Sequence, residues 1–104
     1  MSYNEPQTAE EFDKLLANPQ VAVMFHAEWA GPSLQIAPIF KQQADNYPDA
    51  TFCKVDIDKL DTHPLVKKVR SAPAFSFYLN RSLVVNFPGG SSDTLEQTLK
   101  AHFS

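Results

Sequence analysis

The run Gln20-Val21-Ala22-Val23-Met24-Phe25-His26 limits more than any other stretch what this chain can fold into. Its five central side chains are all apolar, so an extended segment here has no polar face to offer to water. A strand of that kind needs cover on both sides, the usual situation in parallel sheets flanked by helices. At 104 residues the chain has material for one core, and residues 1–104 are read as a single domain. Eight phenylalanines supply bulky side chains for that core.

The flanking segments have readable starts and stops. Thr8-Ala9-Glu10-Glu11 has capping-box spacing: the Thr8 hydroxyl can accept the Glu11 N–H while Glu11 reaches back. Phe12, Leu15 and Leu16 follow at helical spacing, and Asn18-Pro19 ends the helix because proline lacks an N–H and clashes with the preceding turn. Beyond the apolar run, Pro32 suits the first turn of a second helix, where a missing N–H costs nothing. That helix is predicted to reach about Tyr47, with Leu34, Ile36, Ala37, Phe40 and Ala44 buried and a kink at Pro38. Thr51 to Ile57 reads as a strand and Asp58 to Thr62 as a loop. Thr62 is the expected cap of a short helix running through Arg70. Ala74 to Leu79 and Leu83 to Phe87 read as strands joined by Asn80-Arg81-Ser82, a hairpin in which Arg81 is unusual because tight turns favour glycine where φ is positive. Pro88-Gly89-Gly90 stops the last strand, and Ser91, Ser92 or Asp93 caps a helix carrying Leu95, Leu99 and Phe103. A short opening strand near Ser2 to Asn4 is also expected. The order is α/β: a central mixed sheet of four to five strands with helices on both faces.

Composition narrows the function. The net charge is −3 and no Lys/Arg cluster stands out, which argues against a nucleic-acid partner. No apolar run approaches membrane-spanning length, so no membrane partner is expected. Cys53 is the only cysteine, which excludes an internal disulfide; together with the absence of a signal-peptide pattern at Met1-Ser2-Tyr3-Asn4-Glu5 it points to the cytoplasm. Cys53 reads as a small buried hydrophobe. His26, His63 and His102 are dispersed and read as surface or strand-end side chains; no metal or other cofactor is expected. Pairing His26 with Ser33 as base and nucleophile would need a third, orienting group. Asp56 and Asp58 read as loop caps.

Between the apolar run and the second helix stands Glu28-Trp29-Ala30-Gly31-Pro32-Ser33. It resembles the Trp-Cys-Gly-Pro-Cys active site of thioredoxins, which lies at the same kind of junction. Further motifs resemble that family in order. Phe25-His26-Ala27-Glu28-Trp29 is similar to its strand end, Ala37-Pro38 to its helix kink, and Val55-Asp56-Ile57-Asp58 to the end of its third strand. Ser71-Ala72-Pro73-Ala74-Phe75 resembles its cis-proline loop, and Phe87-Pro88-Gly89-Gly90 the turn that completes its substrate groove. The resemblance spans essentially the whole chain. It implies the thioredoxin fold, a cis Ala72–Pro73 bond and a Trp29 indole at the surface.

The departures bear on activity. In the family the first cysteine attacks and the second resolves the mixed disulfide. Those positions hold Ala30 and Ser33 here, so no catalytic residue is assigned. The family's buried proton-relaying aspartate corresponds to Met24, the lysine after the second cysteine to Leu34, and the threonine after the cis proline to Ala74. As written, the chain is expected to lack disulfide reductase activity. The implied role is a non-catalytic, monomeric protein-binding module. Its groove comprises Trp29, Ala30, Gly31, Pro32, Ser33, Ala72, Pro73, Pro88 and Gly89 and takes a protein or extended peptide segment as an added strand at Ala72. One alternative is a thiol–disulfide oxidoreductase of cell redox homeostasis whose cysteines have been substituted. Another is the thioredoxin-like docking domain of a multidomain monothiol glutaredoxin, whose loops also begin Trp-Ala.

Overall fold

A computed structural model of the chain describes residues 3–103. In chain order its elements are β1 (Tyr3–Asn4), α1 (Ala9–Leu15), β2 (Gln20–His26), α2 (Gly31–Gln43), β3 (Thr51–Asp56), α3 (Pro64–Lys67), β4 (Ala74–Leu79), β5 (Ser82–Pro88) and α4 (Ser92–His102). The strands form one sheet in the order β1-β3-β2-β4-β5. β2 is central, parallel to β3 and antiparallel to β4; β1 pairs parallel with β3, and β5 antiparallel with β4. The mixed sheet with helices on both faces is the thioredoxin fold. Ser2, part of the expected opening strand, lies outside the described residues.

The apolar run behaves as a strand covered on both sides. Val21, Val23 and Phe25 point into a core closed by Phe12 and Leu16 of the α1 region and Val66 of α3. Ala22 and Met24 point the other way, against Ile36 and Phe40 of α2 and Leu95 and Leu99 of α4. Side chains alternate across a strand, so one uninterrupted apolar segment feeds two cores. His26 closes the run on the Ala22 and Met24 face, beneath the start of α2.

The capping expectations hold with adjustments. Thr8 accepts the Glu11 N–H at 3.1 Å, while the Glu11 carboxylate reaches the Gln7 N–H at 3.0 Å, one residue before the cap itself. Ser91 caps α4 through the Thr94 N–H at 3.2 Å. The short helix is capped by His63 and not by Thr62: His63 Nδ1 accepts the Leu65 N–H at 3.1 Å, and the helix ends at Lys67, not Arg70. α2 stops at Gln43 and tightens into a 3-10 turn over Ala44–Asn46, short of Tyr47.

Leu34 was expected inside and is instead 50% exposed. Ile36 and Phe40 set the phase of the buried stripe, and three residues before Ile36 lies Ser33, which is fully enclosed. Helix phase therefore overrides the hydrophobicity of a single side chain. In the β4–β5 hairpin Leu79 pairs with Ser82, and both intervening residues have positive φ, 50° at Asn80 and 69° at Arg81. This is the turn that matches strand twist, made here without glycine.

Candidate functional site

Three loops meet where β2 hands over to α2. β2 ends at His26, and the turn is closed by the Ala30 N–H donating to Ala27 O at 3.2 Å. Ala30 is the α2 cap residue and provides no side-chain cap, so its carbonyl alone receives the Ser33 and Leu34 N–H groups, at 3.0 and 3.1 Å. The second loop carries the cis Ala72–Pro73 bond. The third is Pro88-Gly89-Gly90, tied to the second by the Gly89 N–H donating to Pro73 O at 3.0 Å. Gly89 has φ +98°, which favours glycine. A β-carbon on Gly90 would lie 3.5 Å from Pro32 Cβ and 3.9 Å from Pro73 Cγ, so all three loops are within packing distance.

Of the expected groove residues, Pro32, Pro73 and Gly89 lie on loops in packing contact, and the set differs in access. Trp29 is 68% exposed, with Nε1–H donating to Asp58 Oδ2 at 2.9 Å. Gly31, Pro32, Pro88 and Gly89 are exposed and Ala72 is half-buried. Ala30, Ser33 and Pro73 are buried. Ser33 is thus part of the core beneath the loops and not part of a contact surface, for the reason of helix phase given above.

The hydroxyl of Ser33 is enclosed in a chain of polar contacts. Ser33 Oγ lies 2.7 Å from His26 Nδ1 and accepts the Ala27 N–H at 3.2 Å. On the far side of the ring, His26 Nε2 is bonded to a Glu28 carboxylate oxygen. His26 is a strand-end side chain, the last residue of β2, but at 2% exposed it is not a surface one. His63 is likewise buried, with Nε2 3.0 Å from Asp13 Oδ1. The orienting group that a His26–Ser33 pair lacked on paper is Glu28. The signal was its place two residues from His26, where the chain leaves the sheet and can fold back over the ring.

The other candidates are structural. Asp56 Oδ1 accepts the Asp58 and Lys59 N–H groups at 2.9 and 3.2 Å, a loop cap. Asp58 has the further task of holding Trp29, which sequence reasoning missed. Cys53 is enclosed in the α1/α3 core, and burial pushes its thiol up to about 12. Such a thiol is not poised for reaction. Among the described residues no group of three or more His, Cys, Asp or Glu side chains is placed to hold a metal ion. None of the helices searched among them is long and apolar enough to cross a membrane.

Comparison with known proteins agrees with this geometry. The family profile described as Thioredoxin matches residues 4–101. Thioredoxin-3 of Dictyostelium discoideum is 47% identical over 93 residues, covering 89% of each chain. Thioredoxin-1 of Schizosaccharomyces pombe is 35% identical over 95 residues, covering 90% of this chain and 92% of its own. A solved thioredoxin from Plasmodium falciparum is similar with a TM-score of 0.89 at 31% identity, covering 95% of this chain and 98% of that one.

Proposed function

The chain belongs to the thioredoxin family, and from that membership we propose that it works by binding and not by thiol–disulfide exchange. The occupant is a protein or extended peptide segment laid across Trp29, Gly31-Pro32, Ala72-Pro73 and Pro88-Gly89. The observation that carries this reading is the side-chain chemistry at the start of α2. Ala30 has no nucleophile, and the Ser33 hydroxyl is enclosed and engaged with His26 and Ala27. The former reaction centre then serves as a floor. Trp29, held upright by Asp58, is the aromatic anchor of the contact. The half-buried Ala72 backbone, next to the cis proline, is where an added strand pairs.

A second reading, an oxidoreductase whose two cysteines have been replaced, is supported by the retained frame around the missing thiols. The Trp29–Asp58 bond and the α2 start with Pro32 are both present. One experiment separates the two. The unaltered protein should not accelerate dithiothreitol reduction of insulin, and in a pull-down from the source cell Trp29→Ala should weaken partner capture by about 2 kcal/mol or more. Insulin turbidity above the dithiothreitol blank that survives Cys53→Ser would overturn the binding reading, as would capture indifferent to Trp29. Full activity on introducing Ala30→Cys with Ser33→Cys would favour the second reading.

A further inference from the structure

The polar chain under α2 has a direction. The Glu28 carboxylate can only accept, so a neutral His26 turns an Nε2–H toward it and leaves Nδ1 to accept from the Ser33 hydroxyl, whose oxygen in turn takes the Ala27 N–H. An imidazole that accepts at Nδ1 carries its proton on Nε2, and that N–H faces the Glu28 carboxylate. Acid, imidazole and carboxylate therefore stand in the order by which hydroxyl and thiol nucleophiles are deprotonated in unrelated enzymes. Met24, at the position corresponding to the family's relay carboxylate, is fully enclosed and apolar. His26 lies two residues further along the same face of β2.

We propose that His26, oriented by Glu28, is the proton acceptor for the side chain at position 33, and that it takes over the role which Met24 leaves vacant. The step balances simply. The group at position 33 gives its proton to Nδ1 and becomes an anion, the imidazolium keeps its Nε2–H on Glu28, and the carboxylate offsets the new positive charge. With Ser33 the equilibrium stays on the hydroxyl side, because a serine hydroxyl is a far weaker acid than an imidazolium. With a thiol, whose acidity lies far closer to that of imidazolium, the thiolate–imidazolium pair comes within reach. Position 33 is thus served by a built-in base whatever the groove binds, so the inference stands apart from the binding reading. Four other charged groups line the same cavity of about 90 Å³: Glu5 after β1, Lys54 and Asp56 on β3, and Lys59 beyond it. Glu5 and Lys54 approach each other at 3.8 Å, and Asp56 is engaged by the Asp58 and Lys59 amides. Glu28 is the carboxylate in contact with the ring.

The test places a thiol at position 33 and reads its ionisation. In the full chain carrying Ser33→Cys, the ultraviolet thiolate absorbance is titrated with pH; Cys53, pushed up to about 12, stays silent over the relevant range. The thiolate should form well below the ordinary thiol range. Adding Glu28→Gln should raise the midpoint, and adding His26→Gln should raise it further, lowering the thiolate fraction at pH 7 at least about tenfold. Glu28 is a largely exposed side chain, 72%, so its substitution leaves the core intact if His26→Gln does not fold. In the unaltered protein, nitrogen NMR of the neutral His26 ring should place its proton on Nε2. A thiolate midpoint indifferent to both Glu28→Gln and His26→Gln, or a proton resident on Nδ1 in the unaltered protein, would overturn the proposal.

Discussion

Replacing Met24 by aspartate, the residue that the family resemblance implies for this position, tests whether it still belongs to a reaction centre. Met24 is fully enclosed, in register with Lys54 on β3 and Phe75 on β4, and packed in the core formed by Ile36, Phe40 and Phe75. Truncating a buried methionine costs about 2–5 kcal/mol, and aspartate refills only part of the space. Enclosing a carboxyl group adds about 1–3 kcal/mol unless it finds a partner. A candidate partner on this face is Lys54, its register neighbour on β3, whose ammonium lies 3.8 Å from Glu5. Met24→Asp should therefore lose about 4 kcal/mol at pH 7, a large part of the 5–15 kcal/mol typical of a whole domain. The sign of the pH dependence follows from burial. A carboxyl raised above its unfolded value of about 3.9 is tolerated best when neutral. The deficit relative to the unaltered protein should be smallest below pH 4 and grow as pH rises through the folded value. Urea unfolding of both proteins at pH 4 and pH 7 gives the two differences directly, provided the slopes agree. A deficit under about 1 kcal/mol at pH 7, or one that grows on acidification, would refute the reasoning. It would mean that position 24 still accommodates a charged carboxylate, and the case for His26 as its replacement would lose its ground.

Two further outcomes follow from enclosed or strained residues. Burial pushes the Cys53 thiol from 9.0 up to about 12, so its contribution is complete below pH 9 and is lost as pH climbs toward 12. The loss is at most about 4 kcal/mol. In urea unfolding across that range, Cys53→Ala should start about 1 kcal/mol lower at neutral pH and decline less steeply; Tyr78, also raised by burial, is common to both proteins and cancels. Parallel declines would refute the assignment. Arg81 holds φ at 69°, a conformation costing a side-chain-bearing residue about 1–2 kcal/mol, partly offset by the greater unfolded-state freedom of glycine. Arg81→Gly should thus stabilise by about 0.5–1 kcal/mol and raise the thermal midpoint by a few degrees; an unchanged or lower midpoint would show that the turn is not strained.

The order of elements was legible in the sequence because each signal is local. Five apolar residues in a row, a proline at a helix start and a hydroxyl three residues before a glutamate act within a few residues of themselves. The meeting of the loops carrying Pro32, Pro73 and Gly89 was legible too, but only through resemblance, since nothing in their spacing brings three distant loops together. What tertiary structure alone decided was which way side chains face. Ser33 looked like part of a binding surface and Leu34 like core. The phase imposed by Ile36 and Phe40 reversed them, and an amphipathic assignment of one or two residues cannot outvote a stripe fixed by packing on β2. His26 reads as a surface or strand-end histidine. It does end β2, but that end holds it buried under α2, and Glu28 reaches back to its Nε2, a contact set by the path of the turn. The sequence determined that no thiol stands at positions 30 and 33. Only the fold placed an oriented base against the hydroxyl that stands there instead, because a proton path depends on distances of about 3 Å that residue order does not contain.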